Sequence, residues 1–282
     1  MKSHLTPFGV SDYTPNQTQE IRDILTCAST VFDHRLYKRI KTPTIEYFDS
    51  LERGLGDNLK KKTIKFFDKN GDVLILRPDN TTPIARLVAT HMKEDPLPLK
   101  LCYMHPIFIQ SSSSLDGGIE RFQVGVEYIG EESLSADVDV IETCMDVLDK
   151  MGTIDYGIDI GHIELLHGLS DEKRHALLSN DYLSFGAIPK RGDDSIVYSS
   201  SILSSLSKRL KKHPSASRIT YNTGLVKNLY YYTGVIFEVF DKNSKKVIAS
   251  GGRYDNLLGK FGYPQPAVGF AIKVDAIRKK KR

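Results

Sequence analysis

An α+β fold, with a mostly antiparallel sheet flanked by helices, is what this sequence predicts. Three observations predict it. Strand-like segments come in runs, near 63–77 and again near 99–129, instead of alternating strictly with helices. Two of them are joined by Asp68-Lys69-Asn70-Gly71, whose Asn-Gly pair is a strong hairpin signal. Helical periods near 15–32 and 136–151 separate the runs.

Each element has its own warrant. Thr14-Pro15 opens the first helix, threonine as the N-cap and proline at the first helical position. Ile21, Ile24, Leu25, Ala28, Val31 and Phe32 then share one helical face. A strand at Tyr37–Lys41 leads into Thr42-Pro43-Thr44-Ile45-Glu46, and a charged stretch, Arg53–Lys62, comes after it. Thr63–Phe67 and Val73–Arg77 form the Asn-Gly hairpin, which Pro78 ends. Thr82-Pro83 starts a second helix carrying Ile84, Leu87, Val88 and His91. Leu99–Phe108 and Arg121–Ile129 read as a long hairpin around the polar loop Gln110–Gly118. Ala136–Met151 is a helix with Val138, Ile141, Met145 and Leu148 on one stripe and Gly152 as its stop. Ile154–Ile160 is a strand. Residues 164–216 read as a small helical insertion, with Leu165-Leu166 and Ile202-Leu203-Leu206-Leu210 as its apolar positions. Leu229–Phe240 and Lys246–Ser250 form a second hairpin turned by Asp241–Ser244, with Gly251-Gly252-Arg253-Tyr254 after it. A final helix is expected over Gln265–Lys279.

Composition sets outer limits. The 282 residues suit one large domain or two small ones, and 40% hydrophobic with 26% charged residues is ordinary for a soluble globular chain. No apolar run approaches the roughly 18 residues a membrane span needs. The opening MKSHLTPFGVSDYTP has no apolar signal-peptide core. Cys27, Cys102 and Cys144 form no metal-ligand spacing and are expected as free thiols in a reducing cytoplasm. Net charge is +4. The runs Lys60–Lys62, Lys208–Lys212 and Lys279–Arg282 read as solvated surface, because no coherent basic face marks a nucleic-acid footprint.

Two segments carry chemistry. In Gln123-Val124-Gly125-Val126-Glu127, alternation puts Gln123, Gly125 and Glu127 on one strand face. An amide and a carboxylate then flank a position with no side chain, leaving room for a ligand that offers an ammonium or imidazole donor. The same letters also suit a solvent-facing edge strand. In the hairpin at 229–250, Tyr230 and Tyr232 share one face and Tyr231 the other. That stretch equally suits two core strands and a glycine turn.

LVKNLYYYTGVIFE followed by SGGRYDNLL resembles the signature segments of histidyl-tRNA synthetase and its paralogues, and FQVGVE and LRPDNTTPIAR resemble two more. The Tyr-Tyr-Thr-Gly form before Ile-Phe-Glu is most similar to the regulatory subunits of ATP phosphoribosyltransferase. The resemblance implies a class II aminoacyl-tRNA synthetase catalytic-like domain. It would span 1–163 and 217–282, with 164–216 inserted and no anticodon-binding domain. It implies a histidine-binding set of Asp79, Thr81, Gln123, Glu127, Tyr231, Tyr232 and Tyr254. The ATP half departs from the family. Ile109 and Ser111 stand where a motif-2 arginine and acidic residue clamp ATP, Lys227 replaces the signature arginine, and Ala276 replaces the motif-3 arginine. Isoleucine and alanine cannot present the planar fork that a developing phosphate charge needs, and lysine supplies charge without it.

The same resemblance implies a regulatory, non-catalytic subunit without cofactor or metal. It implies a cytoplasmic protein that supports the short form of ATP phosphoribosyltransferase, the first step of histidine synthesis, and takes part in histidine feedback. The expected partners are the catalytic subunit in a hetero-octamer, four plus four, and a second copy of the chain through Lys38–Glu46. No membrane or nucleic-acid partner is expected. Two alternatives stay open: a divergent histidine-activating ligase, and a free-standing histidine- or RNA-binding module.

Overall fold

The structure is a computed structural model. It describes residues 6–110, 118–152, 155–166, 170–178, 191–192, 197, 200–225 and 232–277. Helix α1 (Pro15–His34) starts as expected. Thr14 and Gln17 form a reciprocal capping box, and Ile24, Ala28, Val31 and Phe32 are buried. Strand β1 is only Lys38–Arg39, shorter than Tyr37–Lys41, although the Ile40 N–H still donates to the Cys102 carbonyl at 3.0 Å. Strand β2 (Ile45–Tyr47), the short helices α2 (Phe48–Leu51) and α3 (Asp57–Lys61), and strands β3 (Lys65–Phe67) and β4 (Val73–Leu76) come after it. The three strands form a small antiparallel sheet in the order β2-β4-β3. Its hairpin turns at Asp68, which accepts from the N–H groups of Asn70 and Asp72, with Gly71 at φ 88°.

Helix α4 (Thr81–His91) begins one residue earlier than expected. It buries Ile84, Ala85, Val88 and Ala89, whereas Leu87 is half-buried and His91 exposed, so the inward stripe is rotated from the one read in the sequence. Strands β5 (Leu99–Phe108) and β6 (Glu120–Ile129) pair along their whole length, from Leu99↔Ile129 to Phe108↔Glu120. Residues 111–117 of their connection lie outside the described residues. Helix α5 (Leu134–Met151) ends at Gly152 with φ 61°, the left-handed stop its sequence announces. Strand β7 (Tyr156–His162) runs two residues past the expected end.

Helix α6 (Asp171–Leu178), strand β8 (Arg191–Gly192), helix α7 (Ser201–Leu210) and strand β9 (Ile219–Asn222) come next. Leu203, Leu206 and Leu210 of α7 sink into the main core beside α5, while Ile202 stays exposed. The last strands are β10 (Val235–Asp241), β11 (Val247–Arg253) and β12 (Ala267–Lys273). Two expectations change here. Among the described residues the first arm of this hairpin is Val235–Asp241, with 232–234 outside it, and Gly251, Gly252 and Arg253 lie inside β11 instead of after it. Residues 226–231 lie outside the described residues. The segment read as a final helix is instead strand β12 and a 3-10 turn, Val274–Ala276. Val268, Phe270 and Ile272 alternate with Gly269 and Ala271, a period-two pattern that fits between two strands.

The large sheet has nine strands in the order β1-β5-β6-β12-β11-β10-β7-β9-β8, with only β1–β5 and β7–β9 parallel. One face, including Val124, Val126, Phe237, Val239, Phe270 and Ile272, packs on α1, α5 and α7 to form the main core. A second cluster on the other face joins α4 to Leu101, Tyr103, Tyr254 and Leu258. The register of β6, β12 and β11 places Glu127, Gly269 and Gly252 in one row on that second face.

One buried ion pair fixes the end of β11. Arg253 donates to Asp137 of α5 at 2.6 and 3.1 Å, and to the carbonyls of Glu131 and Ser133 at 3.1 and 3.3 Å. Burial raises the Asp137 carboxyl's pKa against the pull of Arg253, so the pair depends on both members. Replacing Asp137 with alanine takes the closest counter-charge from a buried guanidinium and leaves it only the more exposed Asp255, at 3.3 Å. We expect a loss of about 3–5 kcal/mol, read as a lower urea midpoint at unchanged m-value.

Candidate functional site

The site forms where α4, β5, β6, β12 and the exit of β11 converge. Glu127 is buried and faces away from the main core. Its Oε1 accepts from the Thr81 hydroxyl at 2.7 Å, and its Oε2 accepts from the Tyr254 hydroxyl. These bonds join the first residue of α4 and the residue after β11 to the middle of the sheet. Gly269 lies directly opposite Glu127, and a methyl group there would collide with the carboxylate. Glycine at 269 is therefore a condition for the site.

The other expected positions fall around this centre. Asp79, one residue before the Asn80 N-cap, accepts from the backbone N–H and the hydroxyl of Thr82, both at 2.9 Å, which satisfies a free donor in the first turn of α4. Gln123 sits four residues before Glu127 on the same face of β6, and its Oε1 accepts from Asn80 Nδ2 at 3.1 Å. Tyr232 packs on Gly252, where a Cβ would come within 2.9 Å of its ring. The structure thus brings together Asp79, Thr81, Gln123, Glu127, Tyr232 and Tyr254. Tyr231 lies outside the described residues, as do Ser111 and Lys227. Ile109 comes just after β5 and bonds Ile119 through the backbone at 2.9 Å. Ala276 packs against the main core in its 3-10 turn.

The space beside Gly125, expected to admit a ligand, is taken by Tyr103. A Cβ at 125 would strike the tyrosine's hydroxyl oxygen and ring. Tyr103 is buried, and its hydroxyl donates to the Phe270 carbonyl at 3.4 Å. Sequence reasoning missed Tyr103 and Asn80. The β5–β6 register, Tyr103↔Gly125, is the signal that places Tyr103, and the buried start of α4 is the one that places Asn80.

Burial dominates the electrostatics. It pushes the Glu127 carboxyl up to about 8, against its two hydroxyl donors and with a further push from Asp79. It pushes Asp79 up to about 6, against the Thr82 bonds. The phenols of Tyr103 and Tyr232 are raised for the same reason. His105, cross-strand from Gln123, is lowered to about 4 by burial and then by Arg77, Lys41 and Arg39. These groups can accept from a ligand's N–H and surround it with aromatic edges. Among the described residues, no group of three His, Cys, Asp or Glu side chains could hold a metal ion, and no helix is long and apolar enough to cross a membrane.

The family model described as histidyl-tRNA synthetase matches residues 9–182 and 191–277. A relative from Halothermothrix orenii named ATP phosphoribosyltransferase regulatory subunit is 31% identical, over 97% of this chain and 75% of its own length. One of the same name from Alkaliphilus metalliredigens is 33% identical over 86% and 72%. A solved structure titled ATP phosphoribosyltransferase regulatory subunit/histidyl-tRNA synthetase, from Bacillus halodurans C, superposes with a TM-score of 0.87 at 28% identity, covering 96% of this chain and 82% of that one. Apo Staphylococcus aureus histidyl-tRNA synthetase shares the fold, with a TM-score of 0.68 at 24% identity over 96% and 68% of the two chains.

The raised carboxyls make stability depend on pH with a definite sign. The folded chain keeps protons on Glu127 and Asp79 at pH values where the unfolded chain has lost them, so stability falls as pH rises from about 5 to about 8. The slope from one proton is at most about 1.4 kcal/mol per pH unit. Urea unfolding at stepped pH should show this decline, and Glu127→Gln should flatten its upper part, between about 6 and 8.

Proposed function

The chain belongs to the histidyl-tRNA synthetase family, in the group of its ATP phosphoribosyltransferase regulatory subunits, and on that premise we propose that it is the non-catalytic subunit that short-form ATP phosphoribosyltransferase requires and through which histidine feeds back. The observation that carries the reading is an asymmetry in the site. Asp79, Thr81, Gln123, Glu127, Tyr232 and Tyr254 converge on one face of the sheet, while the positions of the family's phosphate-clamping arginines hold Ile109, Lys227 and Ala276. Such a site recognises an amino acid and has no fixed guanidinium to steady a transferring phosphate. The chemistry then sits on the partner. Tyr231 joins the histidine-binding set in this proposal, and Ser111 joins the lost ATP positions.

In the proposed assembly, a cytoplasmic hetero-octamer of four regulatory and four catalytic subunits, binding at one site shifts the other through linked equilibria. The division into a core, 1–163 and 217–282, and an insertion, 164–216, belongs to the same proposal, with α7 of the insertion docked on the core. Self-association through Lys38–Glu46 is supported by the outer face of the small sheet. There Ile45 and Tyr47 are about half exposed, on either side of the buried Glu46.

Two experiments test this reading. Glu127→Ala should leave the reconstituted complex assembled and active but resistant to histidine. Losing a charged hydrogen bond of this kind costs about 1.5–3 kcal/mol, which weakens inhibition roughly 10-fold to 100-fold. Unchanged inhibition would place the effector elsewhere, and robust histidine-dependent ATP–pyrophosphate exchange by the isolated chain would replace the reading with a ligase. Light scattering of the isolated chain at micromolar concentration should give a dimer, and Tyr47→Lys should dissociate it. A wild-type monomer would remove the self-association.

A further inference from the structure

Glu127 sits among acceptors and phenols, with no counter-charge among the described residues. The groups facing it can be named element by element. Thr81 approaches from α4, Asp79 from the segment just before it, and Tyr103 from β5. Only the backbone of Gly269 approaches from β12. Tyr254 comes from the exit of β11, and Tyr232, with Glu238 beside it, from the entry to β10. Among the described residues this set holds two further carboxyls, three phenols and a threonine, and no cation bonds Glu127. Two hydroxyl donors are a thin substitute for water around an ionised carboxylate, and Asp79 works against ionisation.

We infer that Glu127 carries a proton while the site is empty and releases it when a ligand's N–H donor arrives, so that ligand binding is coupled to proton release. The inference rests on the reading that histidine binds at this site. In the empty state the carboxyl O–H needs an acceptor, and the Tyr254 oxygen lies against it. A phenol both donates and accepts, so it can serve either charge state of Glu127. When the ligand's ammonium or imidazole N–H reaches the carboxyl, Thr81, Tyr254 and the ligand together give the anion three donors. The carboxyl O–H bond breaks, the proton leaves to water, and no other covalent bond changes. The raised carboxyl described above agrees with this order of events.

The coupling has a functional sign. Below the point at which the empty site ionises, each ligand bound must displace one proton. The affinity that this step controls therefore rises with pH, by at most about tenfold per unit. A regulatory complex built on this site becomes more sensitive to histidine as the medium becomes more alkaline.

Infrared difference spectroscopy on the full chain near neutral pH tests it, using isotopically labelled histidine so that ligand bands separate from protein bands. Adding histidine should remove a protonated-carboxyl band and create a carboxylate band. Both changes should be absent from Glu127→Gln and displaced in frequency in Glu127→Asp, so the assignment does not depend on one variant folding. If calorimetry shows that the wild type binds histidine while the difference spectrum shows no carboxyl ionisation, or if both bands persist unchanged in Glu127→Gln, this inference is overturned and the regulatory reading stands. If the wild-type chain binds no histidine, alone or with its catalytic partner, both fall together.

Discussion

Glu127 places a carboxyl group inside the protein, and the surrounding sheet is arranged to allow it. Its strand pairs with β12 so that Gly269 lies opposite, and any side chain at 269 would occupy the space of the carboxylate. The rest of β12 is shaped by that constraint. Gly269 and Ala271 are small on the site face, while Val268, Phe270 and Ile272 carry the packing on the core face. The two hydroxyls that Glu127 accepts from come from positions 46 residues before it and 127 residues after it. One buried group therefore ties the start of α4 and the exit of β11 to the middle of the sheet, and these contacts form the site.

The small sheet is held to this centre by buried and half-buried charges. Arg77 is buried and donates to the carbonyls of Pro106, Thr42 and Pro43 at 2.7, 2.9 and 3.3 Å. It joins the end of β4 to β5 and to the turn after β1. Arg86 of α4 reaches Glu46 of β2 at 2.8 Å, and Glu46 is the inward neighbour of the exposed Ile45 and Tyr47. Gly54 fits between Thr82 and Phe261 so closely that a Cβ would come within 2.6 Å of the threonine methyl. A shift of α4 at its Thr81 end would thus reach the outer face of the small sheet through packed atoms, with little slack to absorb it.

Local signals in the sequence are legible because their physics is local. The Thr14–Gln17 capping box, the Asp68–Gly71 turn, the Gly152 stop and the two long strands of the β5–β6 hairpin each depend on residues close in sequence. The candidate site is legible as a set of residue types through the family resemblance. Which atoms meet there is not, since the Thr81, Glu127 and Tyr254 contacts join three distant segments. The same holds for Arg253 and Asp137, 116 residues apart. Strand β12 reads as a helix because its alternation is between large and small apolar residues, not between apolar and polar ones, and its partners on both sides decide the outcome. Tyr103 is hidden because Gly125 suggests a void, and only the strand register shows which side chain fills it.

On the proposed reading, the loss of phosphate chemistry and the raised carboxyls are connected. An arginine that clamps a phosphate also supplies positive potential to its surroundings, which favours the ionised form of nearby acids. Ile109 and Ala276 stand where such arginines would be, and they supply no positive potential to the buried Glu127 and the half-buried Asp79. The carboxyls then hold protons at higher pH, and the cation that best relieves them is one the ligand brings. A site derived from catalysis would in this way become more dependent on its amino-acid ligand for charge balance. Binding the effector would matter more to the stability of this face than binding a substrate did in an enzyme that carried its own cations. That dependence is what a regulatory subunit needs, because a ligand moves an equilibrium only by the difference in its affinity for the two states.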